Sequence, residues 1–252
     1  MTTVKPTILL IHGFPQDHTL WDPQLAALSE VAHVLAPDLR GFGNSDPPKE
    51  VMPMQTFARD LCALLDERGI DRAVVCGLSM GGYVALSFLS LWPERVQALV
   101  LCNTKATADT PEAREARHET ARNAKQKGVA VIARGMIGKV LSLHTRTEKP
   151  ELVAQVGSMM ARQSPEAVAA ASLGMAERPD RMAMLPSIDV PTLVITGEAD
   201  ELMPIATSKV MAEAIPGAKL VVLPNAGHLS NLEAPELFNA TVRDFLASLP
   251  RA

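Results

Sequence analysis

The run Ala73-Val74-Val75-Cys76-Gly77-Leu78-Ser79-Met80-Gly81-Gly82 decides how this chain folds. Its first four residues are apolar and suited to a strand. A Gly-x-Ser-x-Gly turn follows at 77–81, and a helical run ending near Leu91 comes directly after. This order predicts a serine on a sharp strand-to-helix turn. The backbone there is strained, and the residues two before and two after the serine must be tiny. Gly77 and Gly81 meet that need, and Gly82 extends it for close helix packing. The helix start behind Ser79 offers unpaired N–H groups and the positive end of a dipole. Ser79 is therefore the candidate nucleophile, and the Met80 N–H a candidate donor to a developing oxyanion.

Outward from this turn, Thr7–His12, His33–Pro37, Ala73–Gly77, Ala98–Cys102, Thr192–Gly197 and Lys219–Leu223 read as strands. Most are continuous apolar runs, the pattern of a parallel sheet covered on both faces. Helical segments near Pro23–Leu28, Thr56–Arg68, Gly81–Leu91, Ile205–Ile215 and Pro235–Leu249 alternate with them. The expected class is α/β, a mostly parallel sheet flanked by helices. Right-handed crossovers put the C-terminal strand ends on one edge, beyond which ligands bind.

The rhythm breaks between Thr104 and Pro186. Pro111–Lys127, Val129–Leu143, Glu151–Arg162 and Pro165–Glu177 are helix-prone, and no good strand appears. Residues 104–186 are expected to form a helical cap over the strand ends, with a core of 1–103 and 187–252. An extra helical layer packed elsewhere is the alternative.

A serine hydroxyl needs a base within reach. Of six histidines, only His228 stands in a loop after a late strand, where Gly227 lets the backbone turn. His12 precedes a required glycine and suits loop stabilisation better than catalysis. His18 and His33 read as surface residues; His118 and His144 lie in the expected cap. The base needs an acid to fix its tautomer. Asp200, just past the strand at 192–195, suits the role, with Glu198 and Glu201 as rivals. The first strand runs into His12-Gly13-Phe14-Pro15, so the Phe14 N–H is the expected second oxyanion donor. Pro15 stiffens that loop.

Composition excludes other classes. Hydrophobic residues make up 47% of the 252 and aromatics only 4%, so the core must be mainly aliphatic. The net charge of −4 offers no basic stripe for nucleic acid or an anionic membrane. Cys62, Cys76 and Cys102 form no disulfide pattern and read as buried apolar residues. No apolar run reaches the roughly 18 residues of a membrane span, and no signal-type segment opens the chain. A cytoplasmic location is expected, with no metal and no cofactor. Oligomeric state is not encoded in any motif.

Taken with His12–Pro15, Pro37–Ser45, Gly77–Gly82, Gly197–Asp200 and Gly227-His228, the chain resembles the α/β-hydrolase fold superfamily over nearly its whole length. The order Ser79, Asp200, His228 matches that fold. Gly77–Gly82 and Leu101-Cys102-Asn103-Thr104 resemble bacterial carboxylesterases and the 3-oxoadipate enol-lactonase branch. The resemblance implies a mostly structural role for Asp38–Ser45. Family members usually begin with two extra strands; here only Met1–Pro6 precede the first, so that hairpin is expected to be absent or reduced. Relatives with an aspartate nucleophile, haloalkane dehalogenases and epoxide hydrolases, are set aside by Ser79. The implied activity is hydrolysis of small carboxylic esters or lactones through an acyl-enzyme. Enol-lactone hydrolysis, perhydrolysis, C–C bond or thioester hydrolysis, and ligand sensing without turnover remain alternatives.

Six methionines fall in the expected cap: Met136, Met159, Met160, Met175, Met182 and Met184. Adaptable methionine suits either an apolar pocket or ordinary helix packing. Met136 and Met160 are the expected pocket residues. Phe14 and Trp21 are expected at its entrance, with helix packing the alternative for Trp21. An enol-lactonase must hold a substrate carboxylate; Arg134 and Arg162 are the candidates, although solvent exposure suits each better.

Overall fold

A computed structural model describes residues 5–46, 48 and 51–250. The strands are β1 (Thr7–Ile11), β2 (His33–Leu35), β3 (Ala73–Leu78), β4 (Val96–Cys102), β5 (Thr192–Gly197) and β6 (Lys219–Leu223). They form one sheet of order β2-β1-β3-β4-β5-β6, with every pairing parallel. Residues 1–4, on which the expectation of a reduced N-terminal hairpin partly rests, lie outside the described residues.

The helices are α1 (Asp22–Leu28), α2 (Met54–Glu67), α3 (Met80–Leu91), α4 (Pro111–Lys127), α5 (Val129–Val140), α6 (Leu143–Glu148), α7 (Pro150–Ala161), α8 (Pro165–Ala176), α9 (Ile205–Ala214), α10 (Ser230–Glu233) and α11 (Pro235–Ser248). In α2 the buried side chains are Met54, Phe57, Ala58, Leu61, Cys62 and Leu65. That spacing is one face of a helix. Burying it against the sheet stabilises α2 far more than propensity does.

Alternation along the strands feeds two cores. Leu9, Ile11, Val75, Leu99, Leu101 and Val194 pack with α2, α3 and α9. Ile8, Leu10, Val74, Cys76, Val100 and Ile195 pack with α1 and α11. Both faces are covered, which is why the strand sequences read as continuous apolar runs. Cys76 and Cys102 are buried free thiols on paired strands, with sulfurs 3.9 Å apart. Burial pushes the Cys102 thiol well up, so it is a poor nucleophile.

Between β4 and β5 the chain forms five α-helices and a 3-10 turn at Met182–Ser187, with no strand among the described residues. Within this segment α4 packs on α8 and α5 on α7. The expected helix over 129–143 ends at Val140. Ser142 then caps α6, its hydroxyl accepting from Thr145 N at 3.1 Å.

From β1 the chain builds outward to β2, then crosses to the other side of β1 for β3. The crevice beyond this reversal is where open α/β sheets bind ligands. The loop after β1 and the turn after β3 flank it.

Candidate functional site

Ser79 lies between β3 and α3 with φ +56° and ψ −114°. A non-glycine residue held there stores roughly 1–3 kcal/mol of strain, which the surroundings must offset. They do so with three bonds to the Ser79 backbone, two from backbone groups and one from a side chain. Ser79 N donates to Cys102 O at 2.9 Å, and Ser79 O accepts from Gly82 N at 2.9 Å and Thr104 Oγ1 at 2.7 Å. A Cβ at Gly77 would run into the Gly81 carbonyl, and one at Gly81 into the Ile11 carbonyl. Both obstacles are backbone, so neither can yield cheaply. A Cβ on Gly82 would strike the Thr104 side chain.

Phe14 follows β1, whose Ile11 is in register with Gly77 of β3. Met80 is the first residue of α3. Among the described residues, neither the Phe14 nor the Met80 N–H donates to a loop or turn carbonyl. Both stand beside the Ser79 turn.

His12 is fully buried. Its Nδ1 donates to Gly13 O at 2.9 Å and its Nε2 accepts from Leu39 N at 3.0 Å. Both ring nitrogens are thus used in holding loops, and burial lowers the pKa, favouring the neutral ring. Asp38 accepts from His18 N at 2.8 Å and Asn44 N at 3.0 Å, the loop-fixing role implied for Asp38–Ser45.

Asp200 and His228 come from the loops after β5 and β6. His228 Nδ1 lies 2.9 Å from Asp200 Oδ2, and both side chains are almost fully buried. The other carboxylate oxygen accepts from Leu202 N and Met203 N, each at 2.9 Å. Burial alone would raise the Asp200 pKa. The His228 ring, the Asn103 amide and the Met203 N–H outweigh it and hold the carboxyl below its ordinary value. The rivals point elsewhere: Glu198 accepts from Asn225 N at 3.1 Å, and Glu201 is exposed. Among the described residues, no hydrogen bond joins Ser79 Oγ to His228. The two share the strand-end edge through β3 and β6.

Asn103 is a member that sequence reasoning did not single out. It follows β4, is fully buried and has φ +47°. Its amide donates to Asp200 Oδ2 at 2.8 Å and Gly227 O at 3.2 Å, and its oxygen accepts from Ser230 Oγ at 2.5 Å. Glu233 is another. Its carboxylate accepts from Gly227 N at 2.9 Å and Ser142 N at 2.8 Å, tying the histidine loop to the junction of α5 and α6. A buried polar residue straight after an apolar strand was the available signal for Asn103. Nothing local marks Glu233.

Trp21 corrects an expectation. It is fully buried with its ring 6.0 Å from that of Phe238, so it packs α1 against α11 and cannot line an entrance. Phe14 is 6% exposed and lies edge-on to Phe42. Met160 is fully buried in the α1 and α11 core, and Met136 is half-buried between the two cores. Arg134 is exposed, and Arg162 makes a two-pronged pair with buried Asp17, each bond 2.8 Å. Gln163 adds a bond to Asp17 at 2.7 Å, pinning the α7–α8 turn to the loop after β1.

The alpha/beta hydrolase fold family matches residues 6–235, and the chain belongs to that family. Within it, the chain falls in the enol-lactonase-like branch. It is 31% identical to 3-oxoadipate enol-lactonase 1 of Acinetobacter baylyi, covering 97% of this chain and 90% of that one. Among solved structures, a thermophilic esterase from Thermogutta terrifontis, with malate bound, is 40% identical with a TM-score of 0.94 (98% and 91% covered). The enol-lactonase from Burkholderia xenovorans LB400 is 32% identical with a TM-score of 0.91 (97% and 92% covered). The protein is a hydrolase whose relatives include esterases and enol-lactonases. Among the described residues, no helix is long and apolar enough to cross a membrane.

Proposed function

We propose that this protein is a serine carboxylic ester hydrolase working through an acyl-enzyme, with Ser79, His228 and Asp200 as its triad. The buried His228–Asp200 pair at 2.9 Å, set on the same sheet edge as the strained Ser79 turn, carries the reading. His228 Nε2 takes the Ser79 proton as Oγ attacks the ester carbonyl. Asp200 holds the Nδ1–H tautomer and stabilises the imidazolium. The Ser79–His228 bond is expected to close as substrate binds, since such bonds tighten in the productive complex. The Phe14 and Met80 N–H groups receive the oxyanion, each contributing about 3–4 kcal/mol to the barrier reduction. His228 then protonates the leaving alcohol and activates the water that frees the acid.

Residues 104–186 serve in this reading as a cap, with Met136 shaping an apolar acyl site; Met160, packed in the core, takes no part in it. A neutral ester or lactone suits the site better than an anionic one, because Arg162 is engaged by Asp17 and Arg134 faces solvent. The names of the enol-lactonase relatives favour lactones as a second substrate class, opened by the same acyl-enzyme chemistry. The protein is expected in the cytoplasm.

The test compares wild type and Ser79→Ala on p-nitrophenyl acetate and butyrate and on a lactone panel. Loss of about 10⁴-fold or more in kcat is expected for the variant. Equal rates in the two proteins end the proposal. Melting shifts on ligand addition, without turnover of any panel member, would point instead to ligand sensing.

A further inference from the structure

The two ends of the helical segment between β4 and β5 meet at α3. Lys105 and Asp109 lie on the way out, and Arg178 and Arg181 on the way back. Asp109 is buried there, and three cations share its carboxylate. Arg178 Nη2 is 2.7 Å away, Arg117 Nε 3.2 Å and Lys105 Nζ 3.3 Å. Burial would raise this carboxyl, yet Arg178, Arg117 and Lys105 hold it far below the ordinary range. Arg181 adds a fourth cation, its Nη1 donating to Ser90 Oγ at 2.7 Å. Asp180 is turned to the Ala108 and Met182 N–H groups instead.

A small cleft lies between α3 and these two stretches, lined by Tyr83, Leu86, Ser87, Lys105, Arg178 and Arg181. Its volume of about 10 Å³ holds roughly one water-sized group. The Arg178 guanidinium sits 4.1 Å over the Tyr83 ring. Tyr83 Oη, Arg178 Nε and Arg181 Nε are buried and have no hydrogen-bond partner among the described residues. Tyr83 and Arg178 are each only 4% exposed. Buried donors normally find acceptors, and the cations gathered around Asp109 outnumber its one carboxylate. The cleft therefore calls for an acceptor that also carries negative charge.

We propose that this cleft is a binding site for a small inorganic anion of halide size, held by Tyr83 Oη, Arg178 Nε and Arg181 Nε. A spherical ion accepts from donors in any direction, which suits one donor from α3 and two from the stretch between α8 and the 3-10 turn. The space is too small for phosphate or sulfate. Such an ion fastens the returning end of the helical segment to α3, one turn beyond Ser79 on the same helix. Thr104, at the near end of the segment, already donates to Ser79 O at 2.7 Å. The site does not depend on the catalytic reading.

Two measurements test it. Crystals grown without chloride and soaked in bromide should show an anomalous peak in the cleft, and Tyr83→Phe crystals should lack it. In melting experiments, chloride replaces gluconate at equal ionic strength. Wild type should gain about 3–6 °C at a chloride concentration tenfold above Kd. The gain should vanish in Arg181→Gln, which keeps the test open if Tyr83→Phe folds poorly. Density of water strength without anomalous signal, or an equal chloride gain in wild type and Arg181→Gln, overturns the proposal.

Discussion

Asn103 Nδ2 donates at 2.8 Å to Asp200 Oδ2, the oxygen that also meets His228 Nδ1. The amide joins the loop after β4 to the acid after β5, and through Gly227 O to the histidine loop after β6. Its left-handed backbone, φ +47°, suits asparagine better than most residues. Asn103→Ala removes the donor and strands the Ser230 hydroxyl. A hydrogen bond to a charged group contributes about 1.5–3 kcal/mol, so kcat should fall roughly 10- to 150-fold. KM should change far less. Steady-state ester kinetics, with circular dichroism to confirm folding, check this; an unchanged kcat removes Asn103 from the positioning network.

Gly81→Ala should cost at least about 3 kcal/mol, because its Cβ meets the Ile11 and His12 carbonyls rather than a movable side chain. The expected drop in Tm is about 6–12 °C. Gly135, inside α5 with nothing within 4 Å, is the control. Gly135→Ala should be neutral or stabilising by about 0.5–1 kcal/mol. Similar melting curves for the two variants would show that the elbow is not sterically closed.

Acid should weaken the fold through Asp109 and Asp200. Each has a folded pKa below its unfolded value of about 3.9. Their stabilisation is complete above that value and is lost as pH falls through the lower, folded one. Urea midpoints of wild type should thus decline below about pH 4 and keep falling toward pH 2. Asp109→Asn should be less stable at pH 7 and show a shallower decline across that window. Parallel curves would mean that the Asp109 cluster contributes nothing linked to protons.

Glu233 fastens the histidine loop to Ser142 with one oxygen for each N–H. Glutamine offers a single acceptor and turns an NH₂ against one of those donors. Glu233→Gln should therefore lower kcat about 10-fold. The expected accompaniment is faster proteolysis near the α5–α6 junction. Wild-type kcat together with wild-type protection there would assign Glu233 no positioning role.

All six strands were legible in the sequence because a doubly covered parallel strand is a local pattern, an apolar run closed by turn residues. β5 and β6 carry the expected bounds, while β2 stops two residues early, at Leu35. The Ser79 turn was equally local, since Gly77 and Gly81 are fixed by backbone contacts that any such elbow imposes. The break at Leu141-Ser142 was not. Ser142 N is held by a carboxylate 91 positions away, and the serine that caps α6 is a weak local sign inside an otherwise helix-prone run.

Local sequence is enough to prescribe the sheet, the strained serine turn, and a histidine and an acid following late strands, because each depends on neighbours a few residues apart. The remaining contacts were set by long-range packing. It paired His228 with Asp200, turned Glu198 to Asn225, put Trp21 against Phe238, and brought Asn103 and Glu233 to the histidine loop. Those outcomes depend on which distant elements become neighbours when the two faces of the sheet are buried, and no local pattern encodes that choice.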